Sequence, residues 1–459
     1  MNPRVSIFGL GKLGVPMAVC LAKSGIEVMG VDLSESVVAS FNEGQSPVEE
    51  TGVQELLAST SKLLFATTDA QKAVSETDIS FIVVPTPSEQ NGSFSLKHVI
   101  EVASGIGKAL AYKPSYHLIA LTSTVLPGST EYGVLPVLEK ESGKKCGEDF
   151  GLCYNPEFIA LGSVITDFLN PDFLLIGESD THAGDVLQET LKSVVLNDPP
   201  VQRMNFINAE MAKISLNAFV TTKITFANML TEMSSKLPGA DVDTITNAIG
   251  LDSRIGRRYL SGGLSYGGPC FPRDNRALGY VAAQFDCRSL IPESTDQFNQ
   301  HHLDSLVEIV CSHTKPDGKV AVLGLSYKPH SDVVEESAGM YLAQKLAALG
   351  YEVSTFDPMA MAAAREILKD SVSYADSIIN CVSGTNTVVV ANSDPQFHSL
   401  KPSDMSNTQG PTTVVDCWRI LRQALENDER ILYVGLGIGG SSIGSESHLS
   451  QIWSPEPKP

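Results

Sequence analysis

Apolar residues in this chain arrive in short blocks that end on glycine, proline or a hydroxyl, and the spacing of those blocks predicts alternating strands and helices. Val5 to Phe8 read as a buried strand that breaks into GLGKLG. The helix VPMAVCLAKSG follows to Gly25, and EVMGVD forms a second strand ending on Asp32. Further strands are expected at ISFIVVPTP, HLIALTSTVLPG and FGLCYNPEF. Strand, turn, helix, strand in this order predicts a parallel sheet with crossover helices.

Residues 208–236 contain no Gly or Pro and read as one helix, capped by Asn208, about 43 Å long at 1.5 Å per residue. Glu210, Lys213, Asn217 and Thr221 fall on one stripe of it, and Met211, Ile214, Ala218, Leu230 and Met233 supply apolar surface on other faces. A helix apolar on more than one side is expected to pack on a second subunit as well as on its own. The segment ADVDTITNAIG reads as a shorter helix.

The last third repeats the first. KVAVLG starts a strand, LSYKPHSD follows, and after the helix GMYLAQKLAALG comes YEVSTFDP, ending on Asp357. Only the glycine fingerprint is missing here, and Lys328 offers a point charge for a phosphate instead. Strands are expected at SIINCV, TTVVDCW and RILYVGLG, with Asp416 and Arg419 at a strand end, and a mobile tail from Gly437. The fold class is therefore α/β: two Rossmann-like doubly wound domains joined by a long central helix. The expected divisions are 1–205, 206–305, 306–436 and a tail over 437–459.

Composition narrows the function. The 459 residues carry a net charge of -20, which argues against a nucleic-acid partner or an anionic membrane surface. The eight cysteines form no CxxC pair and no metal-ligand spacing, so neither a metal site nor a disulfide framework is expected. No segment has the length of a membrane span and no leader precedes the first strand, so a cytoplasmic location is expected.

Gly9, Gly11 and Gly14 have the dinucleotide spacing in the context that spacing requires, with a strand before and a helix after. Lys12 and Leu13 complete the turn. Asp32 can accept from both ribose hydroxyls and would repel a 2'-phosphate, so the cofactor expected is NAD. Pro85, Thr86, Ser123 and Thr124 follow strand ends, where ligands of parallel sheets bind. Asn155 and Glu157 come to the same edge.

The stretch GGLSYGGPCFPRDNR, residues 262–276, concentrates the chemistry. Gly267 and Gly268 let backbone approach a bound molecule, Pro269 and Pro272 stiffen the chain around Cys270, and Arg273 and Asp274 lie within reach of the sulfur. Cys270 reads either as a nucleophile or as a buried structural thiol. Arg254, Arg257, Arg258, Lys213, Lys223, Arg273, Arg276 and Lys328 form the set of cations able to handle an anion.

Taken together, GLGKLG, VVPTP, TSTVLPG, NPEF, AEMAKISLNAF, DSRIG, YGGPCFPRD, LGLSYKP and FDP resemble the nucleotide-sugar 6-dehydrogenases, the family of UDP-glucose and GDP-mannose 6-dehydrogenases, from Val5 to about Gly437. The resemblance implies oxidation of a sugar C6 alcohol to a carboxylate with two NAD, most simply UDP-glucose to UDP-glucuronate. It implies that Cys270 attacks the aldehyde to give a thiohemiacetal and then a thioester, that Lys213 and Asn217 support the oxyanion, that Asp274 activates water, and that Thr124 and Glu157 hold water. It implies substrate contacts from Phe158, Lys213, Asn217, Arg254, Tyr259, Tyr266, Gly267 and Lys328, with Arg254 reaching a neighbouring subunit, hence a homodimer. The chain departs from the family pattern at Leu161, where a glutamate is common, and at Glu335, where arginine is usual. Oxidation of a UDP-N-acetylhexosamine or GDP-mannose is the alternative within the class, and a non-catalytic nucleotide-sugar or NAD binding protein the alternative outside it.

Overall fold

The computed structural model describes residues 3–405 and 410–440, so the tail expected over 437–459 lies outside the described residues from 441 onward. The chain divides into two compact units, Met1–Leu216 with Ala277–Cys287, and Asn217–Arg276 with Arg288–Pro459.

The first unit is built on an eight-stranded sheet in the order β3-β2-β1-β4-β5-β6-β7-β8. Its strands are β1 (Val5–Phe8), β2 (Val28–Val31), β3 (Leu64–Thr67), β4 (Ile79–Ile82), β5 (Leu118–Leu121), β6 (Gly151–Tyr154), β7 (Leu174–Glu178) and β8 (Val201–Met204). Every pairing is parallel except β6 with β7. β1, β4 and β5 are buried along their whole length, as strands covered on both faces must be. One core cluster, including Ile7, Val19 and Phe81, fills one side; another, including Phe8, Ile82 and Ile119, fills the other.

The second unit carries a six-stranded, wholly parallel sheet in the order β11-β10-β9-β12-β13-β14. Its strands are β9 (Lys319–Leu323), β10 (Glu352–Phe356), β11 (Ser373–Tyr374), β12 (Thr387–Val390), β13 (Thr412–Asp416) and β14 (Ile431–Gly435). In both sheets the strand order reverses beside the first strand, which creates a crevice at the strand carboxyl ends.

Three expectations are corrected. SIINCV is a helix, Ile378–Val382, capped by Ser377, whose hydroxyl accepts from the Asn380 amide at 3.2 Å. The strand is the following apolar run, Thr387–Val390, and two short apolar runs of this kind cannot be told apart by periodicity. The long helix starts at Phe206 and ends at Lys236, and the cap is Asn205, whose carboxamide oxygen accepts from the Asn208 amide at 3.0 Å.

The third correction concerns the missing fingerprint. Gly324 (φ 98°) and Gly339 repeat the roles of Gly9 (φ 106°) and Gly14. A Cβ on Gly14 would sit 1.8 Å from the Gly9 carbonyl oxygen, and one on Gly339 2.0 Å from that of Gly324. The second pair is 15 positions apart where the first is 5, because the loop 325–337 replaces the tight glycine turn.

Residues 437–440 are held to the end of the long helix and the chain after it. The Gly437 amide donates to the Ser235 hydroxyl at 2.8 Å, its carbonyl accepts from Val242 at 2.9 Å, and the Gly439 amide donates to the Ala240 carbonyl at 2.9 Å.

Candidate active site

In the first unit, the three glycines of GLGKLG separate by role. Gly9 and Gly14 are required by the protein, since a Cβ on Gly9 would lie 2.2 Å from the Val83 carbonyl oxygen. A Cβ on Gly11 would meet nothing within 4 Å, so this glycine keeps open the approach to the turn. No side chain caps the helix Gly14–Lys23, which leaves its N-terminal end to an anion. Asp32 accepts from the Leu10 amide at 3.0 Å through one oxygen and the Ser34 amide at 2.9 Å through the other. A carboxylate has about four acceptor positions, so two remain for a ribose diol. These residues fit NAD.

The loops after β4 and β5 are laced together. Thr86 donates from its hydroxyl to the Thr124 carbonyl at 2.7 Å, and Ser123 bridges the Val84 amide and carbonyl at 2.9 and 2.7 Å. The Thr86 and Ser123 hydroxyls thus shape this edge first of all. Glu210, grouped by spacing with Lys213, serves the same edge: it is fully buried and accepts from the Gly128 and Thr130 amides at 2.6 and 2.8 Å. That role was not legible, since nothing in the chain ties residue 210 to a turn 80 positions earlier.

Lys213 is buried, donates to the Glu157 carbonyl at 2.6 Å and lies 4.6 Å from the centre of the Phe158 ring. Burial pushes the Glu157 carboxyl up to about 7, with the Lys213 charge pulling the other way. A carboxyl poised there can take or hold a proton near neutrality. Asn155 anchors the same loop by donating to the Leu175 carbonyl at 3.2 Å.

The second unit holds the thiol. Cys270 is exposed, which removes the reading of a buried structural cysteine, and it immediately precedes the helix Phe271–Gln284. Asp274 lies in the first turn of that helix, 1% exposed, and accepts from the Asn217 carboxamide at 2.6 Å. Arg273 approaches its other oxygen at 3.4 Å. Asn217 stands one helical turn after Lys213 on the long helix, so the two polar groups share a face.

Gly267 and Gly268 also give the backbone a close approach within the protein. A Cβ on Gly267 would lie 2.1 Å from the Glu336 carbonyl oxygen and one on Gly268 2.6 Å from the Tyr327 ring, so both glycines let this stretch pack against the loop 325–337. The Gly268 amide donates to the Glu335 carbonyl at 3.0 Å, and Arg276 pairs with Glu336 at 3.1 Å. The Glu335 side chain is exposed. In the same loop the Lys328 ammonium lies 5.7 Å from the Tyr327 ring centre.

Asp357 ends β10 as Asp32 ends β2, yet it is 2% exposed and accepts five hydrogen bonds, from the Leu325, Ser326, Met359 and Ala360 amides and the Ser326 hydroxyl. It has no capacity left for a ribose. Tyr259 adopts φ 60° and sets its ring edge-on to Phe271, as does Tyr266 from a separate position. Three further members of the expected cation set have partners within the protein. Arg254 pairs with Asp252 at 2.7 Å on the surface, Arg257 reaches Asn247 at 2.6 Å, and Lys223 donates to the Ile255 and Gly256 carbonyls at 3.1 and 3.2 Å.

Among the described residues no helix is long and apolar enough to cross a membrane. The sequence matches the UDP-glucose/GDP-mannose dehydrogenase family in three successive parts: the NAD binding domain over residues 3–195, the central domain over 207–301 and the UDP binding domain over 321–423. It is 34% identical to a UDP-glucose 6-dehydrogenase of Haloferax volcanii across 93% of this chain and 100% of that protein. It is 36% identical to a GDP-mannose 6-dehydrogenase of Pseudomonas aeruginosa across 86% and 93%. A solved UDP-glucose dehydrogenase from Pyrobaculum islandicum superposes with a TM-score of 0.86 at 33% identity, covering 95% of this chain and 98% of that one.

Proposed function

Because this chain belongs to the UDP-glucose/GDP-mannose dehydrogenase family, we propose that it oxidises the C6 alcohol of UDP-glucose to the carboxylate through a thioester on Cys270. Bound NAD supplies the hydride acceptor at each of the two oxidations. The observation that carries the reading is the buried Asn217–Asp274 hydrogen bond one helical turn after the exposed Cys270, with Lys213 on the preceding turn of the same helix as Asn217.

In the first oxidation the alcohol proton passes through a water held by Thr124 and Glu157 as hydride leaves C6. The Cys270 thiolate then adds to the aldehyde carbon, and Lys213 and Asn217 stabilise the negative oxygen that forms. Loss of a second hydride from the thiohemiacetal gives the thioester. Water positioned by Asp274 adds to that carbon, the C–S bond breaks, and the thiol is regenerated. Each residue acts on charge that develops during reaction, which is where preorganised groups contribute most.

Tyr259, Tyr266, Gly267, Phe158 and Lys328 are assigned to the nucleotide sugar, Lys328 to its phosphates. Arg254 is assigned to the substrate of a neighbouring subunit. The long helix exposes Phe219 (67%), Phe226 (46%) and Met233 (51%) at intervals of seven, an apolar stripe suited to a second copy. Eight cysteines without a disulfide support a reducing, cytoplasmic setting.

GDP-mannose is the second reading, favoured by the 36% identity to the Pseudomonas aeruginosa enzyme. NADH release over UDP-glucose, UDP-N-acetylhexosamines and GDP-mannose tests the assignment. UDP-glucose is expected to give the highest kcat/KM, and a higher value with any other sugar nucleotide overturns the choice of substrate.

A further inference from the structure

The backbone that leads to Cys270 is gripped from two helices by side chains that the chemistry above does not use. Asn228 on the long helix accepts from the Gly263 amide at 3.0 Å and donates to the Leu264 carbonyl at 2.9 Å. Asn299, on the helix Leu290–His313, treats Tyr266 in the same way, accepting from its amide at 2.9 Å and donating to its carbonyl at 3.0 Å. Two further groups of that helix fall at i and i+6 around Asn299 at i+3. His302 donates from its ring to the Gly263 carbonyl at 2.8 Å, and Asp296 accepts from the Tyr266 hydroxyl. One face of Leu290–His313 thus holds residues 263 to 266.

Asp296 also reaches past the thiol. Asn275 is 2% exposed and donates to Asp296 at 2.8 Å and to the Tyr266 hydroxyl oxygen at 3.1 Å, while its own oxygen accepts from Thr221 at 3.0 Å. Residue 275 follows Asp274, and Thr221 stands one turn after Asn217 on the long helix. The chain Asp296–Asn275–Thr221 therefore runs beside the Asp274–Asn217 bond, joining the same two helices one residue further on. It closes the Cys270 loop at both ends, through Tyr266 before the thiol and Asn275 after it.

We propose that Asp296 and Asn299 are positioning residues that fix the Cys270 sulfur relative to the Asp274–Asn217 pair. The proposal rests on the thioester reading given above. Neither residue touches the reacting atoms, and each acts by denying the loop its alternative conformations. In a polar cluster this interlinked, loss of one acceptor releases several donors together.

Asp296→Ala removes the acceptor for two donors, whereas Asp296→Asn keeps an oxygen in place. With purified full-length protein, Asp296→Ala is expected to lower kcat about tenfold, short of the roughly hundredfold that a 1 Å misplacement can produce. KM for NAD should stay within about threefold, since uniform binding is not what is lost, and Asp296→Asn should recover most of the rate. Asn299→Asp, which keeps the acceptor for the Tyr266 amide and loses the donor to its carbonyl, should fall between them. If Asp296→Ala does not fold, the Asp296→Asn and Asn299→Asp pair carries the comparison. A kcat within about twofold of the parent in every folded variant overturns the proposal.

Alkylation of Cys270 by iodoacetamide without substrate, followed on its own peptide by mass spectrometry, reads the loop independently of turnover. Should the parent protein release no NADH from any sugar nucleotide, the functional reading fails. A changed alkylation rate in Asp296→Ala would still support the positioning role, and an unchanged rate would overturn it.

Discussion

Asn217 donates to Asp274 across 2.6 Å, and both side chains are buried although 57 residues separate them in the chain. The bond fixes the carboxylate one helical turn after the exposed Cys270 and uses one N–H of the Asn217 carboxamide, leaving the second N–H to donate to an oxyanion. Asn217→Ala should cost about 10²-fold to 10³-fold in kcat, the range for loss of one oxyanion donor. It should also destabilise the fold by about 1–3 kcal/mol, because a buried carboxylate loses its shorter partner. Chemical denaturation together with steady-state kinetics separates the two effects.

The Glu157 carboxyl, pushed up to about 7 by burial, predicts a pH limb. As the base for the first oxidation it must be ionised, so kcat/KM should rise with pH through about 7, and Glu157→Gln should flatten that limb and slow the enzyme by about 10²-fold. Stability moves the opposite way. The folded value lies above the ordinary 4.5, so the folded state holds a proton that the unfolded state has released. Wild type should therefore lose stability relative to Glu157→Gln as pH rises from 4.5 to about 7. Thermal melts of both proteins between pH 5 and 8 check the sign.

The two helix-side glycines of the fingerprint make a matched pair for mutation. Gly11→Ala meets no protein atom within 4 Å and should fold like the parent while weakening NAD at least about tenfold, or about 1.4 kcal/mol. Gly14→Ala would press on the Gly9 carbonyl at 1.8 Å and should lose folded protein. Calorimetric titration with NAD distinguishes them, and normal affinity in Gly11→Ala would place the cofactor elsewhere.

What could be read from sequence was what is local. GLGKLG, its helix and Asp32 lie within 24 residues, and their βαβ context predicted the first sheet and its cofactor edge. The matching pair Gly324 and Gly339 escaped because the loop between them breaks the spacing while leaving the close contact of helix and strand intact. Asp357 looked like Asp32 and is not, since its partners are amides that only the fold brings to it. Asn217 and Asp274 were singled out separately, one on the polar stripe of the long helix and one in the thiol loop, and only the fold shows the bond between them. The carboxamide clamps of Asn228 and Asn299 bond to backbone, which carries no sequence signal, and so were invisible.

Phe219 and Phe226 on the long helix are exposed in the single chain, and burying a phenylalanine contributes about 1.5–3 kcal/mol. Replacing both with Asp should convert a dimer to a monomer by analytical ultracentrifugation without unfolding it. Activity should fall with the dimer if Arg254 serves the neighbouring subunit. A parent protein that sediments as a monomer would rule out the arrangement.

The central claim is that one thiol carries a sugar carbon through two successive oxidations. Counting NADH against UDP-glucose consumed, at completion with limiting sugar, tests it most directly, with Cys270→Ala alongside. The account predicts two NADH per sugar nucleotide with UDP-glucuronate as product, and no acid from Cys270→Ala. One NADH per sugar, or full acid formation without the sulfur, would contradict it.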